Sequence, residues 1–174
     1  MNAPSENLHN IGRLLRDGNI EAARLAYEGV SESDRNSLYG QFLGGGIAYH
    51  CRQFSSAAQA LTEVVDKQPT NREARLLLGM TYLALERYQE ATGSFEQLLA
   101  VEPEHYQALY FFAHALTKSK RLPEAHAALE RAIAVDPTAG KRISIWAIYI
   151  FTAAWNVRPS RRSRPRLEAP SARK

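Results

Sequence analysis

The 174-residue chain has the length of one ordinary domain, and its 45% apolar content is enough to bury a sizeable core. Charged residues at 23%, with 10 Gly and 8 Pro, exclude collagen-like, coiled-coil and wholly disordered chains. The net charge of +4 sits at one end: residues 158–174 hold six Arg and one Lys against Glu168, which leaves residues 1–157 mildly acidic and argues against a nucleic-acid-binding surface on the body.

From the start of the chain, Met1 to Asn10 lack the basic opening and apolar run of a secretion signal, and the lone Cys51 has no internal disulfide partner. Both point to a reducing, cytoplasmic setting. Cys51 reads as a small core filler and not a nucleophile, because its neighbour His50 points in a different direction on a helix. The histidines, His9, His50, His105, His114 and His126, include no pair at i, i+3 or i+4, so no helical metal site is expected.

The strongest pattern is a repeat. Pro69, Pro103 and Pro137 stand 34 residues apart, and in the same frame come Ala57, Ala91 and Ala125; Leu61, Phe95 and Leu129; and Gly45, Gly79 and Ala113. The first unit, 5–37, keeps Ile20, Ala23 and Tyr27 in frame with Phe54, Ala57 and Leu61, although no proline closes it. A terminal repeat is atypical because one of its faces meets solvent. The second unit, 38–71, carries Gly44-Gly45-Gly46 inside its first helix, where each glycine costs about 1 kcal/mol relative to Ala. Close helix packing is one compensation; a hinge, or a spot where ligand backbone approaches, is the other. The third unit, 72–105, has Leu78, Tyr82 and Leu85 at helical spacing, and the fourth, 106–139, repeats the frame.

The third unit resembles the tetratricopeptide repeat (TPR) family: Leu78-Gly79-x-x-Tyr82, then Ala91-x-x-x-Phe95, then Pro103. It departs from the pattern at Arg75, where the family has an aromatic residue. The resemblance covers roughly residues 5–139 and implies an all-α, right-handed superhelix of antiparallel helix hairpins. In such a fold the small residues Gly79, Gly45 and Ala113 let the two helices of a hairpin approach closely, with Ala91 and its equivalents opposite. The resemblance also implies that the first helix of each hairpin lines a concave groove. By register the lining is Tyr39, Phe42, Leu43, Tyr49 and His50; then Glu73, Leu76, Leu77, Met80 and Leu83; then Gln107, Tyr110, Phe111, His114, Thr117 and Lys118. Some members of the family grip a C-terminal carboxylate with Lys, Arg and Asn. Here the matching places hold Phe42, Leu43, Gly46, Leu77 and Glu73, so that clamp is absent.

After Pro137 the frame opens a further helix over 140–157. Ile143 to Val157 is apolar nearly all round, interrupted by Ser144, Thr152 and Asn156, which conflicts with the polar outer face of a cap. Three readings compete: a helix packed on the last hairpin whose surplus face meets a partner or second subunit, a membrane-touching helix, and an extension of little consequence. The apolar stretch is shorter than the roughly 20 residues needed to span a bilayer. The tail 158–174, with Pro159, Pro165 and Pro170 and no aromatic residue, cannot form a core and shows no sign of base recognition.

The expected function is therefore an adaptor or scaffold that holds an apolar or amphipathic segment of another protein, since Tyr, Phe, Leu and Met offer large buried area and adapt to irregular shapes. A groove filled by the protein's own terminus or a second copy is the competing arrangement. A client-specific chaperone is the alternative function, and a membrane-associated assembly factor using 141–174 the third. No acid–base or nucleophile constellation is present, so the chain does not read as an enzyme, and no cofactor is expected.

Overall fold

The computed structural model describes residues 5–137; the sequence readings for 140–157 and 158–174 lie outside the described residues. Helices follow in chain order: α1 (Glu6–Arg16), α2 (Ile20–Glu28), α3 (Glu32–Asn36), α4 (Leu38–His50), α5 (Phe54–Lys67), α6 (Arg72–Ala84), α7 (Tyr88–Val101), α8 (Tyr106–Lys118) and α9 (Leu122–Val135). Helices α4, α6 and α8 begin 34 residues apart, and so do α5, α7 and α9. The fold is an all-α solenoid in which α1 packs on α2, α4 on α5, α6 on α7 and α8 on α9, with each hairpin stacked on the next.

Side chains decide where the first helix of each hairpin starts. The Ser37 hydroxyl accepts from the Gly40 amide at 3.0 Å, the Asn71 side-chain oxygen from Ala74 at 3.0 Å, and His105 Nδ1 from Ala108 at 3.2 Å. Each satisfies one of the amides a helix start leaves unpaired. The second helices lack such a cap: Gln53, Arg87 and Arg121 stand at the N-cap, where an arginine has no acceptor to offer, and their backbone N–H groups instead close the helix before. Gln53 N–H donates to Ala48 O and Arg52 N–H to Tyr49 O; Arg87 with Tyr82 and Glu86 with Leu83 repeat the pair, as do Arg121 with Leu116 and Lys120 with Thr117. This double closure requires a left-handed residue after the helix. It falls on Arg52 (φ 62°), Glu86 (φ 59°) and Lys120 (φ 62°), and in the first hairpin on Gly18 (φ 75°). These four positions are again 34 residues apart, so the first hairpin obeys the frame even without a closing proline.

The small-residue columns mark close approach. A Cβ on Gly45 would sit 2.8 Å from Leu61 Cγ, and one on Gly79 2.6 Å from the Phe95 ring, while Ala57, Ala91 and Ala125 are fully buried across from them. Interiors packed this densely cannot absorb an extra methyl without displacement. Gly44 is held for the same reason by Tyr27, whose hydroxyl lies 2.5 Å from where its Cβ would be and donates to Gly40 O at 3.0 Å. Close packing is what the structure shows at the first two glycines of the triplet; the third differs, as described below.

Arg75, the departure from the aromatic column, is nearly buried, and its guanidinium donates to Pro69 O at 2.6 Å and to Gln97 Oε1. Arg131 reaches Pro103 O in the same way at 2.7 Å, from the second helix of its hairpin instead of the first. Arg72 pairs with Glu102. The Pro69 and Pro103 connectors are thus bonded to the following unit, while the Arg72–Glu102 pair links the two ends of the third hairpin. The sequence does not foretell α3. Helix α2 stops at Glu28, five residues short of the length its frame allows, and α3, capped by the Ser31 hydroxyl, fills the gap and seats Asp34 O against Gly40, where a Cβ would come within 2.0 Å of it.

Candidate peptide-binding groove

Helices α1, α4 and α6 run in the same direction, each separated from the next by its antiparallel partner, and between them lies an open groove of about 320 Å³. Its lining brings together Tyr39, Phe42 and Leu43 from α4 and Leu77 from α6, four of the residues the register selects. His50 and Glu73, also in the selected lining, stand with them. Leu43 is buried; Tyr39, Phe42 and Leu77 are half-buried and pack on the amino-terminal and central cores with their inner sides.

The groove has depth because of one of its two glycines. Gly12 and Gly46 line it, and a Cβ on Gly46 would meet only Leu15 and Leu77, at 3.6 and 3.7 Å, which is ordinary van der Waals contact. No neighbour therefore demands a glycine at 46. A side chain there would instead stand in the groove, so its absence opens the floor. Gly12 is different: the Tyr39 hydroxyl would be 2.5 Å from its Cβ.

The remaining selected residues are placed elsewhere. Leu76, Met80, Leu83, Tyr110 and Phe111 pack on the carboxy-terminal core. Phe111 stacks on the fully buried Phe95 at 6.3 Å between ring centroids, and Tyr110 meets Phe111 edge-on at 5.2 Å. Phe111 therefore serves the core as much as the concave face. Tyr49 sits edge-on to Phe54 at 5.8 Å and to His50 at 5.4 Å near the turn into α5, and burial pushes its phenol pKa up. His114 is half-buried; desolvation first, then the positive charge of Lys118, holds its imidazole below the usual range.

Register reasoning missed the α1 wall, made by Gly12, Leu15 and Arg16. The signal was available. These three precede Gly46, Tyr49 and His50 by one period, and extending the lining into the divergent first unit would have found them.

A second and larger concavity, about 520 Å³, lies between α5 and the end of the third hairpin's first helix. Its polar groups already engage one another: Thr62 Oγ1 and the Tyr82 hydroxyl are 3.3 Å apart, and the Arg87 guanidinium lies 4.7 Å from the Tyr82 ring centroid while paired with Glu90 at 2.8 Å. With Thr62, Tyr82 and Arg87 already engaged with one another or with Glu90, and none of the residues the register selects on its lining, it is the weaker candidate. Among the described residues no group of three His, Cys, Asp or Glu could hold a metal ion, and no helix is long and apolar enough to cross a membrane.

Comparison with known proteins agrees with this architecture. The Tetratricopeptide repeat family profile matches residues 82–143, and that of Anaphase-promoting complex, cyclosome, subunit 3 matches residues 16–98. Intraflagellar transport protein 70A of Xenopus laevis is 30% identical over 73 residues, covering 42% of this chain and 11% of that protein. The chain thus spans about a tenth of the length of the curated relatives it matches. Among solved structures, MamA from Desulfovibrio magneticus RS-1 superposes with a TM-score of 0.67 at 19% identity, covering 92% of this chain and 100% of that one. The first TPR domain of Spaghetti (RPAP3), bound to the HSP90 peptide SRMEEVD, gives 0.65 at 17% identity, covering 70% and 96%. At these identities the structural likeness speaks for the fold alone.

Proposed function

Because this chain is a tetratricopeptide repeat protein, a protein–protein interaction module, we propose that it acts as an adaptor whose α1–α4–α6 groove holds an apolar or amphipathic segment of another protein. One observation carries the reading. The groove floor is apolar and is kept open at Gly46, where a Cβ would make only ordinary contacts and where alanine would favour the helix over glycine. A glycine that packing does not demand, set between Leu15 and Leu77 on the groove floor, keeps that floor free of a further side chain. The fold-mate bound to an HSP90 peptide shows that this architecture accommodates peptide, while the Glu73 carboxylate and the apolar Leu77 here suit a ligand other than one held by its terminal carboxylate.

The decisive variant is Gly46→Leu, which plugs the groove without placing charge in a core. In affinity capture from the source organism, the wild-type chain retains a protein partner and Gly46→Leu loses it, with the melting temperature of the variant no lower than that of wild type. Retention of the same partner by Gly46→Leu would refute the groove as the binding site.

A further inference from the structure

Three ionisable side chains stand on the groove lining around Leu15, Phe42, Leu43 and Leu77: Arg16, His50 and Glu73. All three are exposed. Among the described residues neither Arg16 nor Glu73 forms an ion pair, whereas Arg24, Arg72, Arg87 and Arg121 all do. Arg16 and His50 occupy the last turns of α1 and α4, and Glu73 the first turn of α6. Since these helices are parallel, the two basic side chains mark one end of the groove and the acid marks the other.

Arg16 and Glu73 each carry the charge that suits the dipole of the helix end that bears them. That explains the residue types but neutralises nothing, and an unpaired charge beside an apolar floor selects ligands of opposite sign and repels those of like sign. At about 320 Å³ the space admits a few side chains and not a whole helix, so the charged ends carry much of what can be recognised. From this arrangement we infer that the occupant is an amphipathic segment of another protein with an acidic residue flanking its apolar face at the Arg16–His50 end and a basic residue at the Glu73 end. This inference rests on the groove being the binding site. The chain's own apolar stretch, 143–157, is a poor match. Lys141 and Arg142 precede it and Arg158, Arg161 and Arg162 follow, so in either direction a basic flank would meet Arg16.

The test uses the full chain and three labelled synthetic peptides sharing one Leu/Ala face, read by fluorescence anisotropy. The first has Glu at one end and Lys at the other, the second replaces that Glu with Gln, and the third replaces that Lys with Gln. Arg16→Gln is expected to weaken the bipolar peptide about three- to tenfold and leave the peptide without Glu unaffected; Glu73→Gln does the same with respect to the Lys. Both substitutions are at exposed positions, so the fold is not at stake. Equal effects on all three peptides, no effect on any, or no binding of the bipolar peptide would overturn the charge assignment. So would displacement of the bipolar peptide by an unlabelled 141–158 peptide that binds more tightly. Gly46→Leu separates the two levels. If it abolishes binding of all three while the charge variants show no coupling, the groove stands and its polarity falls; if it leaves binding intact, the groove itself falls.

Discussion

The two halves of the concave face use one register to opposite ends. At one column of the 34-residue frame the chain carries Gly12, Gly46, Met80 and His114. In the amino-terminal half Gly12 lets Tyr39 pack close and Gly46 leaves a groove, while in the carboxy-terminal half Met80 packs on the core beside Leu83, Tyr110 and Phe111. A repeat architecture fixes where a side chain points, and the residue chosen decides whether that point is wall or opening. The groove is therefore local, although the fold that creates it is periodic.

The comparison is broken most strongly by removing what fills the second half. Phe95→Ala deletes a fully buried ring that supports Gly79 and Phe111, and should cost about 3–5 kcal/mol in denaturant unfolding. A loss under about 1 kcal/mol would mean the carboxy-terminal core is loosely packed. The adjacent glycines sharpen the same contrast with opposite signs. Gly45→Ala drives a methyl into Leu61 and should destabilise by about 1–3 kcal/mol, whereas Gly46→Ala meets only ordinary contacts and should stabilise by about 0.5–1 kcal/mol. If both shift stability the same way, the division of the triplet into packing and opening is wrong.

A smaller effect is expected in the turns. Glu86→Gly relieves a left-handed backbone and should raise stability by about 0.5–1 kcal/mol, while Gly18→Ala in the first hairpin should lower it by a similar amount. Thermal melts of the pair would check both. The smallest concerns His114. Its folded pKa is depressed, so below its unfolded value of about 6.5 the unfolded chain binds more protons than the native one. Stability should be full above that value and fall as pH drops through the folded pKa, and His114→Gln should flatten the slope in this window.

Much of this was legible in the sequence. Prolines, alanines and small residues at one spacing mark the second to fourth hairpins, because each column answers a steric demand that small or ring-closed residues meet, while the first is in frame at Ala23 without a proline. What was not legible depends on partners that spacing does not name. Arg75 breaks the aromatic column, yet it fills the same space by bonding to a proline carbonyl that only the folded chain brings near. Helix α3 arises because α2 ends early at Gly29, and Val30, buried on the amino-terminal core, starts a new direction. Of the selected groove residues, Phe111 faces the right helix side but meets Phe95, a contact set by the size of its neighbour and not by register.

The arginine bonds to Pro69 and Pro103 have a mechanical consequence. A helix-ending proline would otherwise be the natural place for a solenoid to bend, since its ring interrupts the backbone ladder. Here the carbonyl at each such joint is fastened to a guanidinium anchored in the next hairpin. Pulled from its ends, the stack should therefore resist flexing at these two joints and yield elsewhere first, the Pro69 joint holding α6 in place beside α4 along the groove.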